Sequence, residues 1–239
     1  MKLHHKLAGI LGYDLVKKDK SHLTLETHLK HLFTRQRINC VFDVGGNLGQ
    51  YGKSLRRNGY QGAIFTFEPI KAVYEKLLTL SKKDPNWHIF NYALGCEPAT
   101  KTINVSTETS FSSFLETNDY GEARFEKAKT ARQEQVLVKR FDTVFGDLIK
   151  EFPEPRIFLK MDTQGFDLEV FKGAYNALPH IVGLQSEIAA KPIYDGMPDD
   201  LSAIAFYRQH GFDITGLFPV SRDKDSLAVI EFDCVMVKG

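Results

Sequence analysis

The sequence predicts an α/β domain built on a mostly parallel sheet with helices on both faces, and three observations carry that prediction. Apolar runs of strand length alternate with helix-period segments from Asn39 to Ala93, a β-α-β-α-β rhythm. Runs such as CVFDV and AIFTF are too continuous to leave one face in water, so helices must cover both. The chain closes on two strand-like segments joined by the polar turn SRDKD, which reads as an antiparallel hairpin.

In chain order, Ser21 to Arg35 places Leu23, Leu25, Leu29, Leu32 and Phe33 at helical spacing, with Ser21 as N-cap, and predicts a helix leaning on the main domain. Asn39 to Val44 is the first strand, and Gln50 to Arg57 the helix after it, stopped by Asn58-Gly59. Ala63 to Phe67 is the second strand, Pro69 opens a helix through Leu80, and Trp87 to Ala93 is the third strand. Two β-rich stretches, Lys101 to Val105 and Gln135 to Phe141, flank a segment dense in Ser, Thr and Glu. That segment reads as an insertion at about 107–134, and part of Glu116 to Arg132 is expected to act as a mobile lid. Regularity returns with a strand from Arg156 to Met161, a helix from Asp167 to Ala177, a strand from Ile181 to Glu187 and a helix from Pro198 to His210. Phe212 to Phe218 and Ala228 to Val237 form the hairpin. Residues 1–38 therefore read as an N-terminal helical extension, and 39–239 as one domain without repeat or linker.

Composition narrows the function. The 239 residues, 43% of them hydrophobic, suffice for one sizeable core. Basic and acidic residues number 31 and 30, and no Lys/Arg block is dense, which disfavours a nucleic-acid partner. Cys40, Cys96 and Cys234 are odd in number and scattered, which suits neither a disulfide framework nor a zinc site and predicts a reducing, cytoplasmic location. The apolar run Leu7 to Leu11 is too short to span a bilayer and too brief for a signal peptide, so no transmembrane segment is expected.

The turn after the first strand, in CVFDVGGNLGQY, is the first candidate site. Counted from Gly45, the dinucleotide fingerprint G-x-G-x-x-G meets Asn47 and Gln50 where it wants glycine, and no Gly-Lys-Ser/Thr follows for a Walker loop. Asp43, two residues before Gly45, puts a carboxylate at the strand end, which suits a cationic or amino-bearing ligand. Glu68 closes the second strand in FTFEP, where its oxygens can accept both hydroxyls of a ribose; the bland reading is an acid capping the next helix. For Gly45 and Gly46 the bland reading is a tight turn. A nucleoside without phosphate satisfies both acids, and S-adenosylmethionine is such a ligand.

At this point the chain resembles the FkbM family of S-adenosylmethionine-dependent methyltransferases. The resemblance runs from Val41 to the C-terminus and rests on FDVGGNLGQY, FTFEP, NYALG at Asn91 to Gly95, SSFL at Ser112 to Leu115, FLKMDTQGFDLEVFKGA at Phe158 to Ala174, and LQSEI with the later IYDG. It implies a Rossmann-like class I methyltransferase fold, α/β with a seven-stranded, mostly parallel sheet whose last strand is antiparallel. It also implies that Asp43, Gly45, Gly46 and Asn47 line the methionine part of the cofactor, that Glu68 holds the ribose, and that Asn91, Ala93 and Leu94 flank the adenine. The family pattern usually reads D-V-E-G where this chain has Asp162 to Gly165, so Gln164 stands in place of an acid.

Methyl transfer to oxygen needs an aligned acceptor and removal of its proton. Asp162 and Glu187 end the strands where those groups are expected, and Lys160 shares a strand face with Asp162, placed to hold a carboxylate or the acceptor oxygen, so these three are the catalytic candidates. The bland readings are a turn-capping acid for Asp162, a solvated strand end for Glu187 and a solvated lysine for Lys160. Ser112 and Ser113 are implied near the cofactor or acceptor. His28, His31, His4 and His5 read as solvated, and without an adjacent Asp-Asp or Asp-Asn pair at these strand ends no metal is expected. The expected acceptor is a small-molecule or glycan hydroxyl, with specificity from the N-terminal helix, residues 107–134 and Ala189 to Asp200, where Tyr194 is positioned to stack on a sugar. Alternatives are a small-amine N-methyltransferase, a nicotinamide-dependent reductase and a nucleoside-binding module without chemistry.

Overall fold

Strict alternation of side chains on buried strands sends neighbouring apolar residues to opposite faces of one sheet, and this builds two cores. The computed structural model describes residues 10–11 and 24–239; His4, His5, Ser21, Leu23 and most of the Leu7-to-Leu11 run lie outside them. The central strands are β1 (Cys40–Val44), β2 (Ala63–Phe67) and β3 (Trp87–Phe90), with β7 (Ile157–Met161), β8 (Ile181–Ala189), β9 (Phe212–Arg222) and β10 (Val229–Lys238) added later. Their order is β3-β2-β1-β7-β8-β10-β9, with β10 antiparallel to both its neighbours.

On one face Phe42, Val44, Phe65, Phe67, Leu159 and Met161 pack against the helices α5 (Phe141–Ile149), α6 (Asp167–Lys172) and α7 (Asp200–Gln209). On the other, Val41, Ile64, Phe158 and Val235 meet α1 (Leu25–Gln36), α2 (Gln50–Arg57) and α3 (Lys71–Ser81) through Leu29, Phe33, Leu55 and Leu77. Each large apolar side chain so buried contributes about 1.5–3 kcal/mol. The same alternation carries Asp43, Thr66 and Lys160 onto the second face, level with one another across β2, β1 and β7.

Several boundaries differ from the sequence reading. α1 is capped by Thr24, whose hydroxyl accepts the Thr27 amide. Pro69 precedes α3, where Ile70 is the N-cap. The run expected as one strand to Ala93 breaks at Asn91-Tyr92, and β4 (Ala93–Gly95) joins a second sheet of order β4-β6-β5 with β5 (Ala99–Ser106) and β6 (Thr130–Arg140). The expected helix to Ala177 stops at Lys172, and β9 runs on to Arg222, so Ser221 and Arg222 of SRDKD belong to the strand and the hairpin turn is Asp223 to Ala228.

The insertion is built rather than bare. It holds α4 (Asp119–Arg124), capped by the Asn118 side chain, and a 3-10 turn that buries Ala128 completely. It is tied to the 190s loop by Asn118 N to Ile193 O, Asp195 N to Glu116 O and a Thr117–Tyr194 bridge. Its end at about 134 falls inside β6. His28 is likewise fixed, with Nε2 2.9 Å from Thr215 Oγ1 and its ring against Phe218. Among the described residues no helix is long and apolar enough to cross a membrane.

Candidate active site

The C-terminal ends of β1, β2, β7 and β8 open into a cavity of about 250 Å³, roofed by residues 109–114 and closed at the side by Val220, Ser221 and Glu231 of the hairpin. A cavity of about 320 Å³ between α1 and α2 lies instead near the starting ends of β1 and β2, away from the edge where parallel sheets of this kind bind ligands.

The glycine turn forms one wall. Gly45 has φ +80°, and a Cβ there would lie 2.0 Å from the Asp162 carbonyl oxygen, so only glycine lets the β1 and β7 ends close together. Gly46 is not in the cavity wall; it packs beneath, where a Cβ would strike Thr66. Asn47 does line the cavity, and its backbone N–H donates to Glu68 Oε2 at 2.9 Å. Glu68 Oε1 accepts the Ile70 amide at 2.8 Å, so the acid braces both the turn and the start of α3 while bordering the cavity. Burial pushes its pKa up to about 7, against the opposing pull of the Ile70 and Asn47 amides.

Asp43 sits below this wall rather than in it. It is fully buried, with Oδ1 3.0 Å from Lys160 Nζ and Oδ2 accepting Thr66 Oγ1 at 3.1 Å; Trp87 Nε1 donates to the same threonine hydroxyl. Lys160 is buried too, and donates to Gly45 O at 3.0 Å. Burial alone would lower its pKa, but Asp43 and Asp162 outweigh it and hold the value above the ordinary lysine range. Lys160 thus holds the turn from beneath, paired with Asp43, and is not among the residues that line the cavity. Asn91 is also a brace, donating from Nδ2 to Glu68 O and Pro69 O, whereas Ala93 and Leu94 line the cavity with Phe114 and Phe166.

The opposite wall is acidic. Asp162 follows β7, its side chain 40% exposed, and Oδ2 lies 3.5 Å from Lys160 Nζ. Glu187, on β8 across from Asp233 on β10, borders the same cavity. Burial, then the Asp162, Glu231, Asp233 and Asp167 carboxylates, push the Glu187 pKa well above the ordinary glutamate range. Burial also raises Asp233 to about 6, and raises Glu231 against the Ser221 hydroxyl that donates to it.

Three participants escaped the sequence reading. Gln164 joins Asp162 and Glu187 through hydrogen bonds from one amide nitrogen. Glu231 reaches the cavity from β10, a strand that also supplies core residues such as Ile230, Cys234 and Val235. Thr109 latches the roof to the turn by donating to Asn47 Oδ1 at 2.9 Å. Tyr194 does not present a ring for stacking: it is buried, and its hydroxyl donates toward Phe111 O and Gln164 Oε1. Ser112 lines the cavity, while Ser113 is buried and donates to Gln164 O. Among the described residues no group of three or more His, Cys, Asp or Glu is placed to hold a metal ion.

Residues 43–214 match the family model described as methyltransferase FkbM domain. Among solved structures, the chain is similar to magnesium protoporphyrin IX methyltransferase from Synechocystis PCC 6803 with bound SAM, at 9% identity and TM-score 0.49, over 98% of this chain and 90% of that one. It is similar to an rRNA methylase from Streptococcus thermophilus at 12% identity and TM-score 0.45, over 90% and 98%. It is similar to Aeropyrum pernix fibrillarin with natively bound S-adenosyl-L-methionine at 12% identity and TM-score 0.44, over 83% and 66%. No curated protein matches.

Proposed function

Because the chain belongs to the FkbM methyltransferase family and uses S-adenosylmethionine, we propose that it methylates a hydroxyl of a small, uncharged or cationic acceptor, a free sugar or a sugar of a glycan, with Glu187 as the proton acceptor. One observation carries the reading: a half-buried carboxylate, Glu187, whose pKa its surroundings raise, borders the cavity beside Asp162. Bound S-adenosylmethionine supplies an electrophilic methyl group on a sulfonium. Gly45, Asn47, Glu68 and Ala93 hold it on the near wall, where the glycine turn allows close backbone approach and Glu68 offers its remaining lone pairs to a ribose.

The charge of the lining supports the acceptor class. Glu68, Asp162, Glu187 and Glu231 border the cavity, and no Lys or Arg is among its described lining residues. Phosphates of a nucleic acid would face these carboxylates unpaired, so a polyanion is disfavoured. The unpaired thiols Cys40 and Cys234, both buried, and Cys96 accord with a cytoplasmic site of action. The test is incubation with methyl-13C S-adenosylmethionine and, separately, a neutral sugar, an amino sugar and a transfer RNA. The 13C shift of the product methyl separates O-methyl from N-methyl. Label on oxygen of a sugar supports the reading; label only on nitrogen, or only in RNA, overturns it.

Glu68 gives a prediction about the cofactor. Glu68→Ala is expected to weaken S-adenosylhomocysteine binding by about 1.5–3 kcal/mol, the scale of hydrogen bonds to a charged acceptor. With a pKa of about 7 in the free protein, Glu68 accepts ribose hydroxyls best once ionised. Wild-type affinity should therefore rise with pH through 7, and the alanine variant should lose that dependence. Calorimetric titrations on either side of pH 7 read both effects, and equal affinities for the folded variant and wild type would remove Glu68 from the site.

A further inference from the structure

We propose that Gln164 is the positioning residue of the acidic pair: its amide bridges Asp162 and Glu187 and presents one defined oxygen of Glu187 to the acceptor. The inference rests on the reading of Glu187 as proton acceptor, and goes beyond it by naming the group that makes Glu187 fit for the task.

The geometry is specific. Nε2 of Gln164 donates to Glu187 Oε2 at 2.6 Å and to Asp162 Oδ1 at 3.0 Å, so both amide protons are spent on carboxylates. The amide cannot turn round, because the Tyr194 hydroxyl meets Gln164 Oε1 at 2.8 Å and a flipped amide would aim that oxygen at two carboxylates. The backbone cooperates: Gln164 has φ +53°, and Ser113 Oγ donates to its carbonyl at 2.6 Å, turning the residue back over the cavity.

Two carboxylates facing one cavity repel, and the Asp162 charge raises the proton affinity of Glu187. The groups around Glu187 are Asp162 at the end of β7, Asp233 and Glu231 on β10, Asp167 on α6, and the Tyr194 hydroxyl. The nearby ammonium of Lys160 is held by Asp43 and Asp162. Gln164 is thus the one hydrogen-bond donor to Glu187 among the described residues. It occupies Oε2, leaving Oε1 to receive the proton. When the acceptor O–H bond breaks, the proton forms a new O–H bond at Oε1, and the electron pair stays on the acceptor oxygen. A neutral amide does this without adding charge; an acid at position 164 would instead place a third carboxylate in the group.

The test uses the full chain without cofactor or acceptor. Carboxyl-13C glutamate labelling follows the Glu187 titration by NMR, with the resonance assigned from the Glu187→Gln spectrum. Gln164→Met removes the donor at similar volume, and the Glu187 midpoint is expected to move up by about one pH unit or more. Gln164→Glu should move it further and create a three-carboxylate group that binds Mn2+, detected by calorimetric titration with MnCl2. If Gln164→Met does not fold, Tyr194→Phe carries the test, because it frees the amide without removing it and should move the midpoint in the same direction. An unmoved Glu187 midpoint in the folded variants overturns the proposal. S-adenosylhomocysteine titrations run beside these keep the two readings apart: failure of the wild type to bind would count against the methyltransferase site, whatever the Glu187 midpoint does.

Discussion

Glu187→Gln is expected to cut turnover by about 10²- to 10⁴-fold while leaving S-adenosylhomocysteine affinity nearly unchanged, the usual loss when a positioned general base is removed. The amide keeps the shape of the side chain and can still accept from Gln164, so the cavity wall survives the change. The pH profile supplies a second readout. Because burial and the surrounding carboxylates raise the Glu187 pKa, the wild-type rate should climb with pH as the group ionises. The variant should lose that climb. Wild-type turnover at saturating acceptor would end the assignment and pass the proton to water or to an acceptor-borne group. A large loss of S-adenosylhomocysteine binding would move Glu187 from the acceptor half of the cavity to the cofactor half.

The fold was legible because burial on both faces leaves a plain signature. β1, β2 and β7 are entirely buried, and continuous apolar runs with glycine, asparagine or proline punctuation admit few other readings. What the sequence obscured was decided by tertiary contacts. The sequence reading ends a β-rich stretch at Phe141 and names no element after it, but Phe141 and Phe145 point into the core beneath Phe42, and Phe141–Ile149 folds as α5. The polar run through 116–128 has too little apolar mass to announce a helix. Its order comes from hydrogen bonds to the 190s loop, some 75 residues away in sequence, which no local pattern encodes.

The candidate site was legible in part for a similar reason. Strand ends are visible in sequence, so Gly45, Asn47, Glu68, Ala93, Asp162 and Glu187 could be named as candidates, and all border the cavity. Which way a polar side chain turns at a strand end is harder. Asp43 and Lys160 lie opposite each other on adjacent strands, and the same alternation that buries Val41 and Phe158 carries both beneath the turn. They pair with each other there, outside the cavity lining. Gln164 was visible only as an exception to a pattern; its function as a donor emerges once Asp162, Glu187 and Tyr194 converge on it in space.

That buried pair yields the largest expected effect on stability. Lys160→Met removes the ammonium within 3.0 Å of a fully buried carboxylate and cancels the hydrogen bond to Gly45 O. Breaking a buried pair from one side costs about 3–5 kcal/mol, because the remaining charge is left without compensation. Urea denaturation should show this loss, and Asp43→Asn in the same chain should recover part of it, since the neutral amide no longer needs the ammonium. The sign with pH follows from the raised lysine pKa. A cation favoured in the folded state contributes fully below its unfolded value near 10.4, and the contribution fades as pH rises through the higher folded value. The gap between wild type and Lys160→Met should therefore hold steady from pH 6 to about 9 and narrow only in strong base. A single-variant loss below about 1 kcal/mol, the scale of an exposed ion pair, would show that Lys160 does not carry the turn. Additive losses in the double variant would show that Asp43 is held by Thr66 and its neighbours alone.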